Sequence, residues 1–320
     1  MTGLDDAATL RGRPWRDRAA ASGGGTDQLG AAGSGAAVEH AAGIRADVVA
    51  VILSWNDADR VVALLRRLRS ADPRPGHVVV VDNGSAEGCA ARIASEFPEH
   101  EVLCLEANFG FAAAVNRGIG RAVERDAAWV WLLNSDIALP PTALASLLAT
   151  AGADQRCGMA GAVLTEPDGT IQARGGGRVS LWTGSSTHVR RSHERCDYLS
   201  AACLLIRTAM LRDTGAFDEN YFFYWEDVDL GFRARAAGWT LGVAEDCVVV
   251  HDEGSSLGRW SEQRWFHLFR GMSLFLHARA RLPRTATAFR LVVHVATMLR
   301  HGRRDAARGA WRGAIAERLR

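Results

Sequence analysis

The chain contains no lysine, and this absence removes one class of chemistry at the outset. All 38 basic residues of the 320-residue sequence are arginine. A lysine nucleophile or Schiff base is therefore excluded. The arginines are balanced by 36 acids, which leaves a formal net charge of +2. That charge gives no reason to expect nucleic acid as the main partner.

Long apolar runs and closely spaced cysteines are also lacking. The longest apolar stretches, such as Val48 to Leu53 and Leu291 to Leu299, fall short of the roughly 18 residues that a membrane-spanning helix needs. Charged residues interrupt the first 18 positions, so we expect no secretory signal. The six cysteines show neither zinc-site nor disulfide spacing. These features favour a cytoplasmic protein with reduced thiols.

Composition and periodicity divide the chain into three parts. Residues 1–45 are rich in Ala, Gly and Ser and lack hydrophobic periodicity, which predicts a disordered leader. From residue 46 to 258, short apolar runs alternate with helical patterns. Residues 259–320 have a broad apolar surface at helical spacing and are expected to form a helical C-terminal extension.

The alternation predicts an α/β fold with a mainly parallel sheet. Strands are expected at 48–54, 77–81, 101–105 and 128–133, and helices between them at 57–70, 90–97 and 112–125. After Pro140-Pro141 the pattern loosens, with a helix expected at 143–150 and strands at 197–207, 240–243 and 248–250. We interpret the first half of this region as the nucleotide-binding half and the second half as the one that binds the acceptor.

Polar residues follow three of the predicted strands. They are Ser54-Trp55-Asn56, Asp82-Asn83-Gly84-Ser85 and Asn134-Ser135-Asp136. Ligands in parallel sheets bind at the carboxyl ends of strands, so these segments are expected to line one crevice. Taken singly, Asp82-Asn83-Gly84 is equally a common turn sequence.

A glycine-containing segment precedes one of the predicted helices. In Asn108 to Gly118, Gly110 and the alanines that follow allow close backbone approach to a ligand. The start of the helix would supply amide donors suited to phosphate. This segment alone is a weak signal.

Aromatic residues surround three acids in the segment Phe222 to Leu230. Burying carboxylates among large apolar groups is costly unless a cation or hydrogen bonds compensate. Two explanations stand side by side. Glu226, Asp227 and Asp229 could occupy the favourable first turn of a helix that ends at Gly238, or they could form a functional site.

The ordered set of these motifs resembles family 2 glycosyltransferases, and most closely their rhamnosyltransferase-like branch. The resemblance runs from Val48 to His251 and joins the three strand-end segments, Asn108-x-Gly110-Phe111, and Phe217-Asp218-Glu219 through Trp225 to Leu230. It implies a GT-A fold and transfer of a sugar, with inversion, from a nucleotide diphosphate donor. The resemblance favours a deoxysugar donor such as dTDP-rhamnose.

The resemblance also implies roles for individual residues. Asp82 matches the position that contacts the nucleotide base, and Asp136 matches a ligand for Mg²⁺ or Mn²⁺. His251 matches a further metal ligand, although a lone histidine after a strand is otherwise commonly structural. The residues expected to bind the nucleotide sugar are Ser54, Trp55, Asn56, Asp82, Asn83, Gly84, Asn108, Gly110, Phe111, Asn116, Asn134, Ser135 and Asp136.

Asp227 matches the catalytic base of the family. One carboxylate suffices to accept the proton of the attacking hydroxyl, because the metal-bound diphosphate leaves as an anion. Glu226 and Asp229 are expected to support it, and Tyr224 and Trp225 to wall the acceptor pocket. Two positions depart from the family pattern: Asn134 stands where an Asp is usual, and Ala201 where a Gly is expected.

Several alternatives remain open on the sequence. The chain could be a nucleotidyltransferase, or a non-catalytic protein that binds nucleotide sugars. The acceptor could be a carbohydrate, a lipid-linked molecule or a natural product. Residues 300–320 carry seven arginines against two acids, with Trp311 and Leu319 expected to be exposed. This tail could contact the inner face of a membrane, or simply be a solvated helical face.

Overall fold

The computed structural model describes residues 47–86, 88–252 and 258–316. The predicted leader, residues 1–45, lies outside them. The strands are β1 Val48–Ser54, β2 His77–Asp82, β3 Glu101–Cys104, β4 Trp129–Asn134, β5 Ile137–Ala138, β6 Cys157–Thr165, β7 Ile171–Arg174, β8 Gly176–Ser180, β9 Ser185–His188, β10 Tyr198–Leu199, β11 Cys203–Arg207 and β12 Thr240–His251. The helices are α1 Ala58–Arg69, α2 Cys89–Glu96, α3 Phe111–Glu124, α4 Ala143–Gly152, α5 Thr208–Thr214, α6 Glu226–Ala236, α7 Glu262–Arg279, α8 Pro283–Arg300 and α9 Arg304–Ile315.

One large mixed sheet organises the fold. Its strands run in the order β3-β2-β1-β4-β11-β6-β12-β5, with β7 paired to β6. The first four are parallel, while β11 is antiparallel to both β4 and β6. A small second sheet has the order β10-β8-β9. The predicted α/β class with a mainly parallel first half is confirmed.

Helices cover both faces of the large sheet. In β1, Val48, Ala50 and Ile52 face a core that also contains apolar residues of α1, α2 and α4. Val49 and Val51 face the opposite core, with residues of α3, α5 and α6. This alternation follows from the two-residue period of a strand, and burial on both faces explains the continuous apolar run.

The second half differs from the predicted elements in three ways. The expected strand at 197–207 is divided, because the segment Ser200 to Ala202 crosses from the small sheet to the large one. The strands expected at 240–243 and 248–250 are one strand, β12, with an irregular register between Ala244 and Val248. Strands β6 to β9 were not predicted, because their Gly, Ala, Ser and Thr residues give little β-pattern.

Three C-terminal helices form a third core with α6. Trp225 and Val228 of the α6 region pack with apolar residues of α7, α8 and α9. Helix α9 lies close against α7, since a Cβ on Gly309 would clash with the Glu262 carbonyl oxygen. Arg308 and Arg312 of α9 pair with the Glu262 carboxylate. The predicted tail is thus docked on α7 as far as residue 316, with Trp311 exposed as expected; Leu319 lies outside the described residues.

Helix length and hydropathy also bear on membrane contact. Within the three described ranges, no helix is both long enough and apolar enough to cross a membrane.

Candidate active site

Two adjoining clefts lie at the carboxyl ends of β1, β2 and β4. Parallel pairing sets Ser54 beside Asp82 and Leu53 beside Asn134, so the three strand ends meet at one edge. The clefts share a wall formed by Phe111, Asn134, Asp136 and Phe223. The strand-end cleft is also lined by Leu53, Trp55, Asp57, Asn83, Asn108, Gly110, Ser135, Phe222 and Gln263. The acid cleft is also lined by Leu164, Gln172, Ala173, His188, Ser200, Ala201, Ala202, Tyr224, Glu226, Asp227, His251 and Arg264.

An amide network shapes the floor of the strand-end cleft. Asn83 donates through Nδ2 to Asn108 Oδ1 at 3.0 Å, and its own Oδ1 accepts from the Phe109 amide at 3.0 Å. Gly110 has a φ of 86°, and a Cβ there would clash with the Phe222 carbonyl oxygen. A small residue is therefore needed at position 110 because the backbone there packs closely against the segment at 222.

The start of α3 offers fewer free donors than the sequence suggested. The Phe111 amide donates to the Phe222 carbonyl at 2.7 Å, and the Gly110 amide donates to Asn108 Oδ1 at 2.9 Å. Both donors are occupied within the protein. A phosphate at this helix would have to use groups other than these two amides.

Five of the residues expected to bind the nucleotide sugar line neither cleft. They are Ser54, Asn56, Asp82, Gly84 and Asn116. Four of them, Asn56, Asp82, Gly84 and Asn116, make contacts within the surrounding framework, whereas the buried Ser54 hydroxyl has no hydrogen-bond partner. Asn116 holds the segment after α5, since it donates to the Phe217 carbonyl at 2.9 Å and accepts from the Phe217 amide at 3.1 Å. Binding of the nucleotide sugar by these five residues stays a prediction.

The strand-end loops are tied to each other through Ser85 and Asn56. The Ser85 hydroxyl donates to the Asp82 carboxylate and accepts from the Asn56 amide at 2.8 Å. Asn56 Oδ1 in turn accepts from the Ala86 amide at 2.7 Å. Gly84 has a φ of 72° and lies against the Ala107 backbone. The loops after β1 and β2 are therefore held as one unit beneath the cleft.

Asp57 belongs to the site and was missed by the sequence reasoning. It precedes α1, but instead of capping the helix its carboxylate accepts a 2.7 Å hydrogen bond from the Ser135 hydroxyl. Burial raises the pKa of Asp57, and the nearby Asp136 charge acts in the same direction. The available signal was its place directly after the polar end of β1.

Asp136 and His251 meet between the clefts although 115 positions separate them. Residues 251 and 137 pair between β12 and β5, which brings His251 Nε2 to 3.5 Å from Asp136 Oδ1. Both side chains are largely buried, and Asp136 Oδ1 has no hydrogen-bond partner. The predicted pair is thus assembled, with an unsatisfied carboxylate oxygen facing an imidazole nitrogen.

Gln172 fixes the tautomer of this histidine. Its Nε2 donates to the His251 carbonyl at 2.7 Å, so its Oε1 is the atom that accepts from His251 Nδ1–H at 2.9 Å. In the neutral imidazole the lone pair is then on Nε2, which faces the carboxylate of Asp136. Sequence reasoning missed Gln172, because it lies on β7, in the region where no strand pattern was visible.

The residues present fit a divalent cation. The Asp136 oxygen and the His251 nitrogen, 3.5 Å apart, can be joined by a proton on Nε2 or by a cation that both atoms ligate, and a histidine oriented by a second residue is typical of metal ligands. Within the described residues no group of three or more His, Cys, Asp or Glu side chains could hold a metal. Mg²⁺ and Mn²⁺ sites of nucleotide enzymes commonly take few protein ligands and complete their shell with phosphate oxygens and water.

The acid cleft contains two adjacent carboxylates in a poorly hydrated environment. Asp227 Oδ1 accepts from the Val228 amide at 2.8 Å, and burial raises the pKa of Asp227 to about 6. Glu226 is 5% exposed, and its Oε2 has no hydrogen-bond partner. Burial, with the Asp227 charge second, raises the pKa of Glu226 well above its ordinary value. Both environments favour the protonated form, and the Asp227 pKa of about 6 lies close to neutral pH.

The other predicted members of this region lie in different places. Tyr224 lines the acid cleft, with the Arg264 guanidinium 5.2 Å from its ring centroid. Trp225 lines neither cleft; it is buried against Phe275, with ring centroids 5.3 Å apart. Asp229 also faces away from the cleft, and its carboxylate pairs with Arg233 at 2.6 Å and Arg279 at 3.2 Å. Trp225 and Asp229 therefore join α6 to α7 and do not wall the site.

Solved structures with the same architecture are glycosyltransferases. The mannosyltransferase PcManGT from Pyrobaculum calidifontis, in complex with GDP-Man and Mn²⁺, superposes with a TM-score of 0.53 at 18% identity, covering 85% of this chain and 75% of that one. S. aureus TarS 1–349 in complex with UDP-GlcNAc gives 0.52 at 19% identity, covering 78% and 73%. The fold is the GT-A fold.

Comparison of the sequence with a family model and with known relatives narrows the class of enzyme further. Residues 46–267 match the family model described as glycosyltransferase like family 2, and the chain belongs to that family. N-acetylglucosaminyl-diphospho-decaprenol L-rhamnosyltransferase of Mycobacterium tuberculosis is 32% identical over 241 residues, covering 67% of this chain and 78% of the relative. Pre-mycofactocin glycosyltransferase of the same organism is 31% identical over 229 residues, covering 69% and 46%.

Proposed function

We propose that the chain transfers a sugar, with inversion at its anomeric carbon, from a nucleoside diphosphate donor to an acceptor hydroxyl, assisted by Mg²⁺ or Mn²⁺. One observation carries the proposal. The cleft that contains Asp227 shares a wall, at Asp136, with the cleft at the strand ends. A donor whose diphosphate lies at Asp136 would place its sugar toward Asp227, with the nucleotide in the strand-end cleft.

The donor half of the reaction uses Asp136 and His251. A divalent cation held by these two residues would neutralise the diphosphate and stabilise it as a leaving group. Trp55 offers a ring to the nucleotide, and Asn108, whose Oδ1 is held by Asn83, offers its amide nitrogen. Ser135 adds a hydroxyl held by Asp57. Arg264 brings a further positive charge to the acid cleft.

The acceptor half uses Asp227 as the base. The acceptor oxygen attacks the anomeric carbon while its proton passes to the Asp227 carboxylate. The new glycosidic C–O bond forms as the bond to the diphosphate oxygen breaks on the opposite face, and the nucleoside diphosphate leaves as an anion. The raised pKa suits Asp227 to this step, since a base of pKa about 6 is both ionised and basic near neutral pH.

The relatives support a narrower version of the proposal. The 32% identical relative is named as a rhamnosyltransferase that acts on a diphospho-decaprenol acceptor. We extend this to a deoxysugar donor such as dTDP-rhamnose and to a lipid-linked acceptor. Carbohydrate and natural-product acceptors are the other classes that the same cleft would serve.

The products distinguish this function from its alternatives. A panel of nucleotide sugars is screened by thermal shift with Mn²⁺, since a ligand specific for the folded state raises Tm. The best donor is then incubated with lipid extract, and the released nucleotide is identified. Metal-dependent release of a nucleoside diphosphate with labelled lipid is the expected result. Release of diphosphate from a nucleoside triphosphate would indicate a nucleotidyltransferase, and binding without turnover a non-catalytic binding protein.

A further inference from the structure

Helix α8 carries an exposed apolar surface on the side opposite its packed face. Ala286, Leu291 and Met298 are buried, and the His294 ring lies 5.7 Å from that of Trp265 on α7. The remaining side leaves large apolar residues in solvent. Phe289 is 54% exposed and Val292 67% exposed, and Leu282, Val293 and Leu299 belong to the same set.

These residues lie together because of their spacing. Within α8, Val292 and Val293 follow Phe289 by three and four positions, and Leu299 follows Val292 by seven and Val293 by six. This spacing places all four residues along one side of the helix. Leu282 immediately precedes the helix on that side. A contiguous exposed apolar strip of this kind marks an interaction surface, whereas single exposed apolar residues do not.

A tryptophan from the small sheet extends the strip. Trp182 is 72% exposed and lies in the turn between β8 and β9. That turn touches α8, since a Cβ on Gly184 would lie 3.4 Å from Arg290 Cβ and 3.5 Å from the Ala286 carbonyl oxygen. We define the apolar face as Trp182, Leu282, Phe289, Val292, Val293 and Leu299.

Basic residues predominate around the apolar face. Residues 277–316 contain nine arginines and one acid, Asp305. Three of these arginines, Arg279, Arg308 and Arg312, pair with Asp229 or Glu262 outside that range. Arg281, Arg284, Arg300 and Arg304 stand at the two ends of α8 and are exposed. None of these four forms an ion pair with the part of the chain that the structure describes.

We propose that the apolar face lies on an anionic lipid surface, with the four arginines against the headgroups. An interfacial helix combines a buried apolar side with basic residues at its margins, and tryptophan favours the headgroup level. The charge distribution favours lipid over a second copy of the chain, because two copies meeting at this face would bring the exposed arginines of both copies together.

This orientation brings the acid cleft close to the membrane. His188 lines that cleft and is six positions along the β8–β9 hairpin from Trp182, a span of roughly 20 Å at most. A lipid-linked acceptor could then present its sugar to Asp227 while its chain stays in the bilayer. This consequence rests on the proposed function, whereas lipid binding itself does not.

Co-sedimentation of the full chain with vesicles tests the proposal. We expect binding to phosphatidylglycerol vesicles at low salt and little binding to phosphatidylcholine vesicles, with loss of binding as salt rises. The double variant Phe289→Glu/Val292→Glu should lose binding at least tenfold. The triple variant Arg281→Gln/Arg284→Gln/Arg300→Gln should lose roughly 100-fold, at about fivefold for each arginine.

Matched controls come from other surfaces. Val248→Glu replaces an exposed valine on β12, and Arg67→Gln/Arg74→Gln removes exposed arginines from the far side of the sheet. Both should bind vesicles like the wild type, and unchanged Tm shows that each variant is folded. Equal binding by wild type and the α8 variants would overturn the proposal. So would a wild-type dimer, seen by sedimentation velocity, that Phe289→Glu/Val292→Glu converts to monomers without affecting lipid binding.

Discussion

At the scale of single residues, the environment of Asp227 links its chemistry to an energetic cost. Its carboxylate lies beside Glu226 at the start of α6, and burial makes the ionised form of both less stable. A base with a raised pKa is useful for catalysis, but the folded state holds its charge unfavourably. The same residue should therefore control activity and limit stability.

The pH dependence of transfer should report the pKa of Asp227. Only the ionised carboxylate can accept the acceptor proton, and burial raises its pKa to about 6. We expect kcat/KM to increase as pH rises through about 6 and to level off above it. Measuring kcat/KM from pH 4.5 to 8.5 checks this, because a range of ~4 pH units covers both the rise and the plateau of a single ionisation. A flat profile across pH 6 would contradict the assignment.

The stability that wild type gains from Asp227 should fall as pH rises, whereas activity should increase, and Asp227→Asn removes this titration. The ordinary Asp pKa is 3.8, and the folded value is about 6, so the folded state binds the proton more tightly. In wild type, Asp227 therefore contributes its full share to the free energy of unfolding below pH 3.8, and this contribution is lost as pH rises to about 6. Asn carries no charge, so the variant should unfold at a higher Tm than wild type at pH 7, with the difference shrinking at pH 4.

If Asp227→Asn unfolds at a lower Tm than wild type at pH 7, the ionised carboxylate stabilises the folded state, and its pKa is not raised by burial. Val248→Asn, on an exposed position of β12, serves as a control with no expected pH-dependent difference.

Gln172 should influence metal binding through its hydrogen bond to His251. Its loss frees the His251 ring to rotate or change tautomer, so that Nε2 no longer faces Asp136. Removing such an outer partner commonly costs 10- to 100-fold in metal affinity, and we expect about this loss for Gln172→Ala. Calorimetric titration with Mn²⁺ and a nucleoside diphosphate measures it. Gln155→Ala, on an exposed turn, is the control; equal affinities in the two variants would refute the role.

At the scale of elements, the site depends on how α6 is held. Asp229 pairs with Arg233 on α6 and Arg279 at the end of α7, and Trp225 packs on Phe275 of α7. These contacts face away from the clefts and fix the helix whose first turn presents Glu226 and Asp227. The sequence placed all three acids in one functional group, but the helix directs them to opposite sides.

Asp229→Asn should destabilise the protein strongly. The carboxylate is 7% exposed and neutralises two arginines, and removing one partner of a buried ion pair costs about 3–5 kcal/mol. Urea unfolding measures the change. Glu124→Gln, which breaks an exposed pair with Arg121, should have little effect. If the two variants unfold at the same urea concentration, the pairing of α6 with α7 is not a source of stability.

The elements also show what the sequence could predict. Strands β1, β2 and β4 are continuous apolar runs buried on both faces, and each ends in a polar segment, so both their positions and the crevice were predictable. Strand β7 lacks such a run, and Gln172 was missed with it. The pairing of Asp136 with His251 depends on β5 meeting β12, a contact between distant segments that only the family resemblance indicated.

At the scale of the whole molecule, the two clefts adjoin each other at the proposed metal site, and the acid cleft adjoins the hairpin that contributes to the apolar face. The strand-end cleft is formed by the first half of the large sheet, and the acid cleft by the second half with α6 and the small sheet. The two share Asp136, so donor and acceptor would meet there. The hairpin that lines the acid cleft also contributes Trp182 to the apolar face.

Turnover of Asp227→Asn is the most direct test of the central claim, that Asp227 is the base of a glycosyl transfer between the two clefts. Nucleoside diphosphate release is measured with donor, acceptor and Mn²⁺, and donor affinity is measured alongside. We predict a loss of about 10²- to 10⁴-fold in kcat with donor affinity within about threefold of wild type, because a base acts on the acceptor proton and not on donor binding. A variant that turns over at the wild-type rate would contradict the account.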